Sequence, residues 1–373
     1  MTSISDSIIK VGMVLPFSGL PALRENGRRI HCGTAAWINS YNERGGHAGR
    51  QVELIVEDSA YDTAVLAKAV RKLNEQDDVV ALLNTNGTPQ LTAAMPYMQR
   101  EKLPLLLPFA GAEEWYNPPR WGVIGVQPPF NESGYLLGKW AAAEGHRNVA
   151  IFHPDYPEIS VSMAQYAKRG FDATAANDGG AEFVCVPLGS TDGKAMADAI
   201  LSHEPDAVIV LVNWPELTSA LTEIVARGKS LPCYSWAANV TQQIADQGGN
   251  LLEGMKGQAA TIVTPDGESL AAAEYRDALS RYFPDQAPDI TSLTAFAHAQ
   301  IFTTALDTIS GNVTRDSLVA AFEALGTVER HILPTVSFSS GEHLGASAIQ
   351  RMQIINGRWR PIGDEEQFPK LDA

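Results

Sequence analysis

Cysteine is scarce in this 373-residue chain: Cys32, Cys185 and Cys233 stand far apart and are odd in number. So placed, they form neither a disulfide framework nor a metal-ligand spacing, and each reads as a single buried thiol. Basic charge is also scarce, with 28 Lys and Arg against 43 Asp and Glu and a formal net charge of −15. A nucleic-acid reader needs a basic stripe to neutralise phosphates, and the anionic leaflet of a membrane repels such a surface. Long hydrophobic runs are missing too. The most apolar stretch, LPLLLPFAGA at 103–112, contains two prolines and falls short of the roughly 18–20 apolar residues that span a bilayer.

The start, MTSISDSIIKVG, shows no basic segment followed by an apolar one and a cleavage site. Two readings stay open: a cytoplasmic chain, or a periplasmic one from which a signal segment has been removed. Catalytic motifs are absent as well: no G-x-S-x-G, H-E-x-x-H or C-x-x-C. ARGKS at 226–230 ends like a phosphate loop, but Glu223 stands where its first glycine belongs. No G-x-G-x-x-G follows the first strand. The histidines (His31, His47, His146, His153, His203, His298, His331 and His343) form no ligand pair, and each reads as a surface or satisfied core histidine. No metal, cofactor or nucleic acid is expected.

What is present is an alternation of short apolar runs with amphipathic segments, in a chain long enough for two or three domains. Strands are expected at 8–15, 51–58, 79–84 and 103–109, with helices at 28–43, 62–76 and 89–101 between them. After a break near 120–130 the rhythm restarts. Strands are expected at 149–154, 181–188, 207–213 and 231–237, with helices at 158–177, 193–202 and 215–228. Residues 269–325 read as mostly helical, and 333–373 hold short strand-like pieces such as TVSFS and RMQIIN. Continuous Val/Ile/Leu strands with helices between them indicate parallel sheets covered on both faces. The fold class is α/β, with two Rossmann-like lobes.

In open α/β sheets, ligands bind outside the carboxyl ends of the strands. Here those ends carry Thr88, Phe109, Ala110 and Gly111 in the first series, and Tyr156, Asn213, Trp214, Ser235 and Trp236 in the second. They are rich in hydroxyls, amides, glycines and rings, and poor in acids and bases. That is the chemistry of binding rather than of acid–base catalysis. Thr88-Pro89 reads as a helix start with Thr88 as its N-cap, aiming unpaired N–H groups at an anion such as a carboxylate.

IKVGMVLPFSG at 9–19 followed by INSYNERGGHAGRQVELIVEDSAYD at 38–62 resembles the opening of the type I periplasmic binding proteins. More narrowly, the chain resembles the leucine/branched-chain amino acid-binding family of ABC-transporter receptors. NGTPQLTAAMPYMQREKLPLLLPFAGAEEW at 86–115, VQPPFNESG at 126–134 and LLEGMKG at 251–257 extend the likeness over about residues 8–365. The resemblance implies two hinged lobes closing on one small ligand. The chain would cross three times, near Gln127, Ile262 and Leu333, giving lobes of 7–127 plus 263–332 and 128–262 plus 333–373. It places the ligand carboxylate at Thr88 and at Phe109–Ala110–Gly111. Tyr156, Asn213 and Trp214 would reach in from the second lobe. It also implies a monomer that works with permease subunits.

One departure is informative. The acid that pairs the ligand ammonium in amino-acid-binding relatives falls here on Ser235, beside Trp236. A buried ammonium without a charged partner would cost several kcal/mol, so the solute is expected to be an aromatic or other organic acid. Phe109, Tyr156, Trp214 and Trp236 would hold its body, and Arg24, in the loop after the first strand, would be a second charge partner. Branched-chain amino acid binding, a cytoplasmic ligand-sensing regulator on the same fold, and an enzyme of doubly wound fold are the rival readings.

Overall fold

A computed structural model of the chain describes residues 8–19, 21–175, 179–329 and 332–371. The opening 1–7 and His331 lie outside the described residues. The chain divides into two compact units, 1–127 with 263–347 and 128–262 with 348–373.

The first unit begins with β1 (Ile8–Leu15), α1 (Pro21–Glu43), β2 (Gln51–Asp58), α2 (Thr63–Glu75), β3 (Ala81–Leu83), α3 (Thr88–Arg100), β4 (Leu105–Leu106) and β5 (Val123–Ile124). The second runs through α4 (Phe130–Ala143), β6 (Asn148–Pro154), α5 (Ser162–Thr174), β7 (Gly180–Val186), α6 (Gly193–Leu201), β8 (Ala207–Val210), α7 (Trp214–Ala226), β9 (Cys233–Ser235), α8 (Gln242–Gly248) and β10 (Lys256–Ala259). The chain then adds α9 (Leu270–Tyr282), α10 (Ile290–Asp307), α11 (Arg315–Glu323), β11 (Gly326–Val328) and β12 (Val336–Phe338) to the first unit. It finishes in the second with β13 (Ala348–Ile355), β14 (Arg358–Pro361) and β15 (Glu366–Gln367).

The first sheet is parallel throughout, in the order β2-β1-β3-β4-β5. The second repeats that winding with β7-β6-β8-β9-β10, also parallel, and extends it by antiparallel β13 and β14. Such a winding reverses direction once, between β1 and β3 in one unit and between β6 and β8 in the other. That reversal opens a crevice at the strand ends. α10 (ITSLTAFAHAQIFTTALD) is apolar nearly all round, and it is buried on all sides, packed on α1 and in the core of the first unit.

Four differences from the sequence reading have physical causes. β3 and β4 are shorter than expected because Asn84 and Leu107 take left-handed φ values of +51° and +52°, which carry the chain out of the sheet. α1 starts at Pro21, seven residues before the expected 28, so Arg24 is an exposed residue of a first helical turn and not of a loop. Gly27 disguised that start. A Cβ there would stand 2.2 Å from the Pro16 carbonyl oxygen, so the glycine serves a close approach and does not break the helix. Residues 333–347 pack with the first unit, past the expected crossing near Leu333, because β12 pairs with β11. Finally, Cys185 is exposed, since β7 is an edge strand that alternates its side chains outward; Cys32 and Cys233 are buried.

Candidate functional site

Each unit places its expected residues at the carboxyl ends of its own strands. In the first, Asn84 turns the chain out of β3 and Gly87, at φ +124°, caps α3. Thr88 is therefore the first helical residue and not the N-cap. Its neighbour Pro89 fills the next position, and the N-cap residue gives no side-chain cap bond. Only glycine takes the Gly87 conformation readily, which is why the cap moved one residue upstream. Thr88 is buried at 3% exposure. The first N–H groups of any helix lack intrahelical partners, and the positive end of a helix dipole favours negative charge.

Leu107 does for β4 what Asn84 does for β3. The loop beyond it is tied to the loop that follows β3, with Phe109 N donating to the Thr85 carbonyl at 3.0 Å and Asn86 Nδ2 donating to the Phe109 carbonyl at 3.0 Å. Phe109 is half-buried, and Ala110 and Gly111 are buried. The loop after β1 is fixed by Asp58, which accepts from Phe17 N at 2.8 Å, Ser18 N at 3.3 Å and Ala60 N at 2.8 Å. Burial pushes this carboxyl up, but the Ser18 hydroxyl together with those backbone bonds outweighs it and holds it below the usual carboxylate range.

In the second unit, Tyr156 is half-buried and precedes the π-helical turn Pro157–Val161, its carbonyl accepting from Ser160 N at 2.9 Å. Asn213 is the N-cap residue of α7 but gives no side-chain cap bond, and Trp214 is the first helical residue, followed by Pro215. α7 thus begins as α3 does, at the same point of the same winding. Trp214 and Trp236 are both half-buried. Trp236 donates from Nε1 to the Val212 carbonyl at 3.4 Å and packs on Phe130, ring centroids 6.3 Å apart. Ser235 is the last residue of β9. It is entirely buried, its hydroxyl donating to the Val210 carbonyl at 3.3 Å and accepting from Asn239 Nδ2 at 2.9 Å, so it is held inside the unit. Asp155, exposed beside Tyr156, is a carboxylate at these strand ends.

The structure gives contacts to three residues that sequence reasoning left without a role: Asn86, Phe130 and His298. Asn86 and Phe130 sit inside motifs already singled out, NGTP and VQPPF, so their positions were legible although their contacts were not. His298 left no such signal. Among the described residues no group of three or more His, Cys, Asp or Glu is placed to hold a metal ion, and no helix is long and apolar enough to cross a membrane.

The model of a family described as periplasmic binding protein matches residues 8–358. A search of curated proteins found none that matches this sequence. Among solved structures, a possible leucine/isoleucine/valine-binding protein from Rhodopirellula baltica is similar, with a TM-score of 0.86 at 20% identity over 97% of this chain and 98% of its own. A fatty acid ABC transporter substrate-binding protein from Thermomonospora curvata gives a TM-score of 0.84 at 16% identity, over 98% and 93%. A solute-binding protein of an ABC transporter from Rhodopseudomonas palustris, in complex with 3,4-dihydroxybenzoic acid, gives 0.82 at 20% identity, over 98% of each.

Proposed function

This chain belongs to the periplasmic binding protein family, and from that premise we propose that it is the solute receptor of an ABC importer, working in the periplasm, whose solute is a small organic carboxylate, by preference an aromatic one. In the first unit, the start of α3 at Thr88 and the backbone of Ala110 and Gly111 take the carboxylate, with Phe109 as a wall and Arg24 as an outer charge. In the second, Tyr156, Asn213, Trp214 and Trp236 take the apolar body. Its partners are permease subunits, and it acts by binding.

The observation that carries the choice of solute is the end of β9. Ser235 is enclosed and fully bonded there, and Trp236 follows, so the position offers an ammonium ion no charge. The similar proteins named above are described with leucine, isoleucine and valine, with a fatty acid, and with 3,4-dihydroxybenzoic acid. All carry a carboxylate and only the first three also carry an ammonium, so the missing partner selects among them. Asp155 favours a second reading, a branched-chain amino acid whose ammonium it would pair.

A thermal-shift screen of benzoate, hydroxybenzoate, cinnamate, leucine and valine tests the reading. A solute at a hundredfold excess over its Kd adds about 2.7 kcal/mol to folding. The largest shift is expected from an acid without an ammonium; a clear win for leucine or valine overturns it. If capture proceeds by closure of the two units, as the resemblance implies, the radius of gyration in solution scattering falls on adding the acid. An unchanged radius removes closure from the mechanism.

A further inference from the structure

His298 lies on α10 with none of its surface exposed. Its Nδ1 is 2.9 Å from Asn84 Oδ1. The orientation of that amide is fixed, because Asn84 Nδ2 donates to Thr34 Oγ1 at 2.7 Å and to the Ala295 carbonyl at 3.2 Å. Thr34 in turn donates its hydroxyl to the Ile30 carbonyl at 2.8 Å. Since Asn84 Oδ1 can only accept, the imidazole proton sits on Nδ1. Nε2 is then an acceptor, and it is buried with no hydrogen-bond partner among the described residues. Burial drives the pKa down to about 3, the Leu107 backbone opposing the fall only in part, so the ring is neutral at any ordinary pH.

The ring also supports the neighbouring loop, because its face meets Phe109 with centroids 5.0 Å apart and planes 39° from parallel. The two residues that turn β3 and β4 out of the sheet, Asn84 and Leu107, are both left-handed and both border this imidazole. A non-glycine residue stays in that conformation only where its surroundings over-determine it. Three contacts on one neutral ring therefore join the loop carrying Thr88 to the loop carrying Phe109, Ala110 and Gly111.

We infer that His298 is a positioning residue for solute capture. It is a neutral imidazole, protonated at Nδ1, that touches no solute itself and sets the relation of loops 84–88 and 107–111 through Asn84 and Phe109. The inference rests on the proposed function in taking those loops as solute-binding.

Two variants separate positioning from mere core packing. His298→Phe keeps a ring against Phe109 but leaves Asn84 Oδ1 without a donor. His298→Asn places an amide donor where Nδ1 stands. Benzoate affinity, measured by titration calorimetry well below each melting temperature, is expected to fall about tenfold or more in His298→Phe and to recover in part in His298→Asn. Lower melting temperatures with unchanged benzoate affinity in both variants overturn the inference. If His298→Phe does not fold, the imidazole ¹⁵N signals of His298 in the wild type carry the test. They are expected to move when benzoate is added, and signals that stay still while benzoate binds overturn it. Wild-type protein that binds neither benzoate nor 3,4-dihydroxybenzoate refutes the proposed solute class instead. The crystal structure of His298→Phe, or of His298→Ala should that variant not fold, then decides the positioning role, which falls if loops 84–88 and 107–111 are unmoved.

Discussion

The buried Tyr234 hydroxyl donates to Glu144 Oε2 at 2.7 Å, on a carboxylate that also accepts from Trp140 Nε1 at 2.7 Å and from the Lys256 ammonium. His146 Nε2 donates to the same Tyr234 oxygen at 2.9 Å. This cluster joins the end of α4 to β9 and to Lys256, which opens β10. It ties helix to sheet in the second unit without contributing to the strand ends. Burial raises the Glu144 carboxyl, but the bonds from Lys256, Tyr234 and Trp140 outweigh it and leave the group below its ordinary value.

That direction fixes a pH dependence. A carboxyl depressed in the folded state stabilises above its unfolded pKa, roughly 4.3, and loses that contribution as pH falls through the folded value. Glu144→Gln is expected to cost about 1–2 kcal/mol at pH 7, allowing for partial exposure, and to cost progressively less under acid. Urea unfolding of both proteins at pH 7 and at about pH 3 checks this; an equal difference at both pH values contradicts it.

Gly138 and Gly170 predict a sign that helix propensity gets wrong. A Cβ on Gly138 of α4 would lie 1.8 Å from the Ala167 carbonyl oxygen, and one on Gly170 of α5 would lie 2.0 Å from that of Tyr135. The two helices meet backbone to backbone. In an exposed helix Gly→Ala gains about 1 kcal/mol, whereas forcing atoms into a packed interface costs typically 1–3 kcal/mol. Gly138→Ala is therefore expected to lower stability by about 1–2 kcal/mol net, and a urea midpoint above that of the wild type would refute the contact.

The same glycines show what the sequence made legible. Alternating Val/Ile/Leu strands and amphipathic helices were readable because burial on both faces of a parallel sheet leaves a continuous apolar run. The strand-end residues followed from the general rule for such sheets, and the two helix starts at Thr88-Pro89 and Trp214-Pro215 carried their proline signal openly. What stayed hidden is set by tertiary context. The spacing of Gly134 and Gly138 at i and i+4 marks a close helix crossing only once α5 is known to lie there. Leu107 gives no local sign of a left-handed turn. His298, inside the apolar AFAHAQIF, reads as a surface or satisfied core histidine, and only the structure buries it with no partner for Nε2 among the described residues.

Gly111 tests the carboxylate seat in the first unit. It is buried, in a loop whose Phe109 is already tied to the loop after β3, and recognition there would run through the backbone. A β-branched side chain would occupy the space the solute needs and stiffen the loop. Gly111→Val is expected to weaken binding of the best acid from the screen by far more than tenfold, over about 1.4 kcal/mol. Its melting temperature should stay close to wild type. Calorimetric titration beside a thermal melt checks both halves, and unchanged affinity moves the seat away from this loop.

Asp155 decides between the two solute classes with one charge. It is exposed after β6, its backbone N–H donating to the Val186 carbonyl at 2.8 Å, and it stands beside Tyr156. If the solute is an acid without an ammonium, this carboxylate can only repel it, by about 1 kcal/mol or less across several ångströms of watery surroundings. Asp155→Asn should then leave benzoate binding unchanged or tighten it by up to about fivefold. If the solute is a branched-chain amino acid, the same substitution removes the partner of its ammonium, and leucine affinity should fall at least about tenfold. Titrating benzoate and leucine into both proteins separates the cases: a loss of leucine binding in Asp155→Asn would assign the ammonium to the end of β6 and reverse the argument drawn from Ser235.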